Sequence, residues 1–287
     1  MTGSAQSARM SATSHPPSHV LQGLLGRGQT LVMGILNITP DSFSDGGQFL
    51  DPAAAMSQAQ RMIEDGADII DVGAESSRPY GNPVAISADE ETARLAPVLP
   101  NLVKLGLTVS IDTVKSTVAD YALKQGASIV NDVWGLQRDP DMAKTIADHG
   151  VPVIVMHNRD KADPEIDIMA DIMAFFSRSL EIAEHAGIRK ENIVLDPGVG
   201  FGKTPEQSIL AVARLAEFKS FGHPLLVGLS RKRFINSIVP SEPDDRLGGS
   251  IAGHILAAMQ GASIVRTHDV RETVQALRVA EAIRSAG

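Results

Sequence analysis

Residues 31–73 read LVMGILNITPDSFSDGGQFLDPAAAMSQAQRMIEDGADIIDVG. An apolar run at Leu31–Leu36 leads into a loop rich in Gly, Ser and Asp, and a helix-length amphipathic stretch at Pro52–Glu64 precedes a second apolar run at Ile69–Val72. Asp51 and Pro52 form a typical helix start, because Asp caps the first turn and proline is tolerated at the first helical position. The stretch therefore predicts a strand–loop–helix–strand unit.

The same unit recurs along the whole chain. The apolar runs are Leu31–Leu36, Ile69–Val72, Leu107–Ile111, Ser128–Val130, Val151–Met156, Ile193–Leu195, Leu225–Leu229 and Ser263–Val265. The helical stretches are Pro52–Glu64, Ser87–Leu105, Lys115–Gln125, Asp139–His149, Ile166–Ala186, Pro205–Lys219, Leu247–Gln260 and Val270–Ser285. Runs that are apolar on both faces are typical of parallel strands covered by helices. Eight repeats in about 250 residues predict an α/β fold of the (β/α)₈ TIM barrel type; a doubly wound open sheet is the alternative, although it usually has fewer strands.

The chain divides into an N-terminal extension, residues 1–29, and a single barrel domain, residues 30–287. The extension is rich in Ser, Pro, Gly and His and has no apolar core, so we expect most of it to be mobile, with Val20–Leu25 as the part that could pack on the body. It does not resemble a secretory signal, and the chain contains no apolar run of membrane-spanning length. These features predict a cytoplasmic protein that is not bound to a membrane.

Composition excludes several classes of function. There are 26 Lys and Arg residues against 34 Asp and Glu, which gives a net charge of −8, and only 4% of the residues are aromatic. A nucleic-acid binder needs a basic face and stacking side chains, so that class is disfavoured. The chain has no cysteine, which excludes disulfides, thiolate metal sites and a cysteine nucleophile.

Polar residues follow every predicted strand. In a (β/α)₈ barrel the chemistry lies at the carboxyl ends of the strands, so these residues should face one site. One group is cationic in a protein of negative net charge: Arg78, Arg231, Arg233, Arg266 and His268. Guanidinium groups match phosphate oxygens, so this group predicts a phosphorylated ligand.

A second group combines carboxylate, amide and amine side chains: Asp112, Asn131, Asp196 and Lys232. A carboxylate only accepts hydrogen bonds, an amide does both, and a lysine only donates. Together they could bind the edge of a flat heterocycle that carries amino and N–H groups, such as a pterin or a purine. For any one of these residues a helix cap remains an alternative interpretation.

Seven motifs in this order resemble the dihydropteroate synthase family. They are MGILNITPDSFSDGG at 33–47, GAESSRP at 73–79, SIDT at 110–113, Asn131-Asp132, DPGVGFGK at 196–203, SRKR at 230–233 and RTHD at 266–269. Two positions depart from the family pattern: Tyr80 precedes Gly81 in the second motif's loop, and Asn158 follows Met156-His157. The similarity spans about residues 31 to 285.

The resemblance implies a TIM barrel, usually a homodimer, that condenses 6-hydroxymethyl-7,8-dihydropterin diphosphate with 4-aminobenzoate in folate biosynthesis, a reaction in which sulfonamides compete. It implies a pterin site at Asp112, Asn131, Met156, Asp196, Phe201 and Lys232. It implies a diphosphate site at Asn37, Arg78, Arg266 and His268, with Mg²⁺ held at Asn37, and a 4-aminobenzoate site at Phe43, Ser77, Pro79, Ser230 and Lys232. Asp112, Lys232, Arg266 and His268 would take part in catalysis.

Two other functions remain open at this stage. A methyltransferase that passes a methyl group from methyltetrahydrofolate to a corrinoid would share the Asp and Asn ligands, but would not need the Phe43 loop or the pair Arg266 and His268. A non-catalytic pterin-binding paralogue would keep the ring pocket and lose the loops or Lys232, and the sequence shows no such loss.

Overall fold

Eight parallel strands form a closed barrel in the computed structural model, which describes residues 20–39, 51–75 and 86–286. The strands are β1 (Leu31–Asn37), β2 (Ile69–Gly73), β3 (Thr108–Asp112), β4 (Ile129–Asp132), β5 (Val153–Met156), β6 (Ile193–Asp196), β7 (Leu225–Gly228) and β8 (Ala262–Thr267). β1 pairs with β2 through Met33 and Ile69 and with β8 through Leu31 and Ile264, which closes the ring. The predicted TIM barrel is therefore confirmed, and the open sheet is excluded.

Helices cover the outside of the barrel. They are α1 (Val20–Leu25), α2 (Pro52–Glu64), α3 (Ala88–Leu95), α4 (Leu99–Val103), α5 (Ser116–Lys124), α6 (Met142–His149), α7 (Ile168–Ala186), α8 (Pro205–Ala213), α9 (Arg233–Ile238), α10 (Leu247–Met259) and α11 (Val270–Ser285). The predicted cap at Asp51 is present, since its side chain accepts a hydrogen bond from the backbone N–H of Ala53. None of the described helices is both long and apolar enough to cross a membrane.

Two predicted helices are shorter than expected. The stretch Ser87–Leu105 forms α3 and α4 with a break at residues 96–98, because Pro97 and Pro100 lack the N–H that would continue the helical ladder. The stretch Pro205–Lys219 ends its α-helix at Ala213 and continues as a 3₁₀ helix, Leu215–Phe221. The helix count around the barrel therefore exceeds one helix per strand.

An apolar cluster closes the amino-terminal end of the barrel interior. This floor consists of Leu31, Met33, Ile69, Ile129, Ile154, Val194, Leu226 and Ile264, with Leu21 and Leu24 of α1 packed beneath them. Neighbouring strand residues, such as Val32 and Ile70, pack outward in the larger core shared with the helices. The alternation follows from the period of two in a strand. Two positions after the floor residues Ile129 and Ile264, it leaves Asn131 and Arg266 to face the other end of the interior.

The segment after residue 19 is part of the packed body. Leu21 is 1% and Leu24 is 6% exposed, in the stretch for which the sequence allowed packing. Residues 1–19 lie outside the described residues, and the division at residue 29 stays a prediction.

Candidate active site

The carboxyl-terminal layer of the barrel interior is polar and cross-linked. Arg266 donates to Asp71 Oδ2 through Nε (2.6 Å) and to Asp112 Oδ2 through Nη2 (2.9 Å). Asn131 Nδ2 also donates to Asp71 Oδ2, at 2.9 Å. Three of these four residues were predicted as site residues, and they come from three different strands. We call the four residues the upper layer.

Burial controls the charges in the upper layer. It raises the pKa of the Asp112 carboxyl to about 7, an effect that Arg266 opposes and that negative Asp71 increases. Burial acts to lower the pKa of Arg266, but the same two carboxylates outweigh it, so the pKa lies above its ordinary value. A carboxyl group with a pKa near neutrality changes its charge readily when a charged or polar ligand arrives.

Asp196, which is buried, and Lys232, which is half-buried, provide a second pair of charges beside the upper layer. Asp196 Oδ1 accepts from the backbone N–H of Gly198 at 2.7 Å. Burial raises the pKa of Asp196 to about 6, and positive Lys232 opposes the rise. Burial lowers the pKa of Lys232 to about 8, while the charges of Asp196 and Asp112 oppose that fall. Lys232 therefore lies within electrostatic reach of both predicted ring-binding carboxylates.

A small apolar cluster lies next to these charges. It comprises Val133, Met156 and Phe201, with Val114 and Trp134 packed against them; we call it the ring slot. Lys232 Nζ lies 4.1 Å from the centroid of the Phe201 ring, which is within the range of a cation–π interaction. Apolar faces beside buried donors and acceptors suit a flat heteroaromatic ligand.

Ser230 and His268 meet at the ends of β7 and β8. Ser230 Oγ accepts from the backbone N–H of His268 at 3.2 Å and lies 3.0 Å from His268 Nδ1. Burial lowers the pKa of His268 to about 3, and the neighbouring charges of Arg266 and Arg231 lower it further. His268 is therefore neutral while no anion lies beside it.

Arg231, which the sequence places in the predicted cationic group, forms two ion pairs. Its guanidinium is paired with Asp244 and with Asp269, and its φ of +59° places the backbone in the left-handed region. Arg266 is likewise paired with two carboxylates, so these contacts do not decide the role of Arg231, which as a phosphate ligand stays a prediction. Arg233 lines the cavity described next.

A cavity of about 1230 Å³ opens at this end of the barrel, and its lining includes Asp112, Trp134, Phe201, Lys203 and Lys232. Asn37 ends β1 at the same end of the barrel. A Cβ atom built on Gly73 would lie 3.7 Å from Asp112 Oδ2 and 3.8 Å from Asn37 Oδ1. Side-chain oxygen atoms of both Asn37 and Asp112 therefore lie beside Gly73.

The structure brings the described candidates together at one end of the barrel: Asn37, Asp112, Asn131, Met156, Asp196, Phe201, Ser230, Lys232, Arg266 and His268. Phe43, Ser77, Arg78 and Pro79 lie outside the described residues, as does Tyr80. Sequence reasoning missed Asp71 and Trp134 as members of the site. Asp71 could have been found, because it stands two residues after buried Ile69 and so faces the interior.

Comparison with known proteins identifies the family. The model of the family described as "Pterin binding enzyme" matches residues 33–268. The dihydropteroate synthase of Bacillus subtilis is 44% identical over 260 residues, which cover 90% of each chain.

Solved structures agree with this match. A dihydropteroate synthase of Clostridium difficile, crystallised in the presence of pteroic acid, is 48% identical, with a TM-score of 0.85 over 89% of this chain and 97% of that one. A dihydropteroate synthase of Xanthomonas albilineans with 4-aminobenzoic acid is 41% identical, with a TM-score of 0.85 over 90% of this chain and 94% of that one. The fold, the polar residues at the strand ends and these relatives together show that the chain belongs to the dihydropteroate synthase family of pterin-binding enzymes.

Proposed function

We propose that this family member joins 6-hydroxymethyl-7,8-dihydropterin diphosphate to 4-aminobenzoate in the cavity at the carboxyl ends of the strands. The products are 7,8-dihydropteroate and diphosphate. The observation that carries the proposal is the position of Lys232, which interacts electrostatically with both Asp196 and Asp112 and lies over Phe201. These residues are far apart in the sequence, and the fold gathers them at one buried site.

The ring slot and the charges beside it supply the contacts that a pterin requires. Asp112 and Asp196 are acceptors for ring N–H and amino groups, Asn131 can both donate and accept, and Lys232 donates to ring oxygen or nitrogen. Met156 and Phe201 offer apolar surface to the faces of the ring. Because these groups are buried, an unpaired ligand atom would be costly, which gives the site selectivity for the correct ring.

His268 is prepared to bind the diphosphate. If Ser230 Oγ–H donates to Nδ1, the imidazole carries its proton on Nε2, and that N–H can donate to a phosphate oxygen. Arg266 adds a permanent positive charge, and Arg78 would add another from outside the described residues. Binding of an anion would also favour the protonated form of His268.

The donor set fits a Mg²⁺ ion that arrives with the diphosphate. Among the described residues no group of three or more His, Cys, Asp or Glu residues could hold a metal by itself. Mg²⁺ often binds through one or two protein oxygens together with substrate phosphates and water, and Asn37 offers such an oxygen near Asp112. Bound there, the ion would neutralise charge that develops on the leaving diphosphate.

The reaction breaks the bond between the pterin methylene carbon and the diphosphate oxygen, and the electron pair leaves with the diphosphate. The methylene group, conjugated with the electron-rich ring, carries the positive charge, which ionised Asp112 stabilises. The amine nitrogen of 4-aminobenzoate then forms the new bond and loses a proton. Arg266 and His268 stabilise the departing anion, and Ser230 and Lys232 help to position the arylamine. Phe43, Ser77 and Pro79 would complete the 4-aminobenzoate site.

We also propose a cytoplasmic homodimer. Four large apolar side chains are exposed on α10 and α11, which are neighbouring helices: Leu256, Met259, Val279 and Ile283. Such a group of exposed apolar residues is typical of a contact between subunits, and a second copy of the chain is the partner we assign. Ile283→Asp should convert the dimer to a monomer in analytical ultracentrifugation.

Product analysis tests the proposed reaction. The protein is incubated with the pterin diphosphate and 4-aminobenzoate, with and without Mg²⁺, and dihydropteroate and diphosphate are measured. Both products should appear in equal amounts and should require Mg²⁺. Methyl transfer from methyltetrahydrofolate to a corrinoid would instead support the methyltransferase. Pterin binding without release of diphosphate would support the non-catalytic paralogue.

A further inference from the structure

Lys203 is a buried lysine with an unusual set of partners. It is 8% exposed, and its Nζ lies 2.6 Å from His157 Nδ1, 2.9 Å from the carbonyl oxygen of Gly198 and 3.1 Å from that of Phe201. Burial lowers the pKa of Lys203 to about 7; in its ammonium form the group has three N–H donors, and the protein uses all of them. Lys203 therefore has no donor left for a substrate, although it lines the cavity.

Two of these bonds fasten the loop that carries Phe201. Residues 197–203 follow β6, and Lys203 binds the carbonyls of Gly198 and Phe201 within that loop. The loop also lies directly on the segment after β5: a Cβ on Gly198 would be 1.9 Å from His157 O, and one on Gly202 would be 2.5 Å from Arg159 O. Both glycines have positive φ. The loop is therefore held by hydrogen bonds from Lys203, and it packs against the backbone of His157 and Arg159.

His157 connects Lys203 to the wall of the barrel. Because Nδ1 accepts from Lys203, the imidazole proton is on Nε2, which donates to Asp171 Oδ2 at 3.0 Å. Asp171 lies in the first turn of α7 and also accepts from Arg159 at 2.9 Å. Burial, reinforced by the charge of Lys203, lowers the pKa of His157 to about 3, so the accepting nitrogen stays unprotonated.

The fastened loop carries two parts of the ring site. Phe201 forms the ring slot with Met156 and Val133. Gly200 lies against Lys232, since a Cβ there would be 3.2 Å from Lys232 Cδ. A displacement of this loop would move the Phe201 ring. It would also remove the backbone of Gly200 that packs against the Lys232 side chain.

We propose that Lys203 and His157 are positioning residues that fix the depth of the ring slot, and thereby the affinity for the pterin ring. The inference rests on the proposed function, because it assumes that the ring slot takes the pterin. Both residues act through the backbone of Gly198 and Phe201 and do not touch the substrate.

A matched pair at His157 tests the inference. In His157→Asn the side-chain oxygen takes the place of Nδ1 and still accepts from Lys203, whereas in His157→Gln the amide reaches Asp171 and leaves Lys203 without that acceptor. Both variants lose the ring contact with Phe175. Binding of 6-hydroxymethylpterin is measured by calorimetry, and the fluorescence of Trp134, the single tryptophan of the chain, reports on the ring slot.

We expect His157→Gln to weaken binding about tenfold, the effect of about one hydrogen bond between buried groups. His157→Asn should stay within about threefold of the unchanged protein. Lys203→Met should raise the KM for pterin diphosphate about tenfold or more, with a smaller effect on kcat, because the slot and not the reacting atoms has changed. Equal losses in the two His157 variants, or the reverse order, would overturn the inference, as would unchanged ring affinity in a folded Lys203→Met protein.

One further variant separates this inference from the proposed function. Asp196→Asn removes a ring acceptor and leaves the contacts of Lys203 in place. If Asp196→Asn binds the pterin normally, the ring site itself has been assigned incorrectly. If Asp196→Asn loses binding while His157→Gln does not, the ring site stands and the positioning role of His157 and Lys203 fails.

Discussion

The two layers inside the barrel are built on the same strands and differ in almost every physical property. On β4, Ile129 belongs to the floor and Asn131 to the upper layer; on β6, Val194 belongs to the floor, and Asp196 lies beside the upper layer. The floor contains only apolar side chains, whereas the upper layer is a hydrogen-bonded network of charged and amide side chains. A shift of two residues along a strand thus separates packing that stabilises the barrel from groups that bind a ligand.

Mutations in the floor should affect mainly stability, and mutations in the upper layer should affect mainly function. Apolar burial contributes in proportion to the area removed from water, so the floor should dominate stability. Buried charges with shifted pKa values cost stability unless they are paired, so the upper layer and its neighbours should contribute to function at some expense to stability. Mutations at matched positions in the two layers test this difference.

Lys232→Met should have the largest effect. It removes the positive charge that lies within electrostatic reach of Asp196 and Asp112 and, with it, a charged donor for the pterin ring. We expect kcat/KM for the pterin diphosphate to fall about 1000-fold, which corresponds to about 4 kcal/mol. Lys144→Met, at a lysine that is 73% exposed, should leave kcat/KM unchanged. Near-normal turnover in Lys232→Met would remove Lys232 from the site.

Ile129→Ala should lower the stability of the protein and leave pterin binding unchanged. Ile129 is 1% exposed within the floor, and truncation of a buried isoleucine costs about 2–5 kcal/mol. We expect the free energy of unfolding, measured in urea, to fall by that amount, while the folded protein keeps its affinity for 6-hydroxymethylpterin. Ile129→Val should cost about 1 kcal/mol. A large loss of ring affinity in Ile129→Ala would show that the two layers are coupled.

Asp196→Asn should stabilise the protein while it removes a ring ligand. The pKa of Asp196 is raised to about 6 from 3.8, so ionisation is disfavoured in the folded state and stability is lost as the pH rises from the unfolded pKa through about 6. A pKa difference of one corresponds to about 1.4 kcal/mol, and we expect a gain on the order of 1–3 kcal/mol in the free energy of unfolding near neutral pH. Below the unfolded pKa of 3.8 both proteins are neutral at this position, and the gain should vanish.

Denaturant titrations across the pH range measure this effect. In the Asp196→Asn variant the side-chain amide oxygen can still accept from the backbone N–H of Gly198, so the turn after β6 should be retained. A gain that persists unchanged at low pH would show that its origin is not the ionisation of Asp196.

Much of this arrangement follows from local sequence patterns. The period of two along the strands places Asp112, Asn131 and Asp196 at the carboxyl ends, and the repeat of strand and helix places those ends around one cavity. The break in the predicted helix Ser87–Leu105 also had a local signal in Pro97 and Pro100. These features depend on neighbours within a few residues, which a sequence displays directly.

The contacts that could not be predicted join distant segments. Arg231 pairs with Asp244 and Asp269, and no local pattern indicates which carboxylates an arginine meets. The bond between Lys203 and His157 joins the ends of β5 and β6. Adjacent strand ends were expected to lie close together, but the direction of each side chain depends on the left-handed glycines of the loop.

Leu24→Ala should have a smaller effect than Ile129→Ala, and it tests the outer edge of the floor. Leu24 is 6% exposed on the six-residue helix α1, which packs against the floor from outside the barrel. A short helix can shift to fill part of the space, so we expect a loss of about 2 kcal/mol, at the low end for a buried leucine. Gln22→Ala, at an exposed position on the same helix, should change the unfolding free energy by less than about 0.5 kcal/mol. If Leu24→Ala also weakened pterin binding, α1 would influence the upper layer through the floor, and the separation of packing from binding within the barrel would be incomplete.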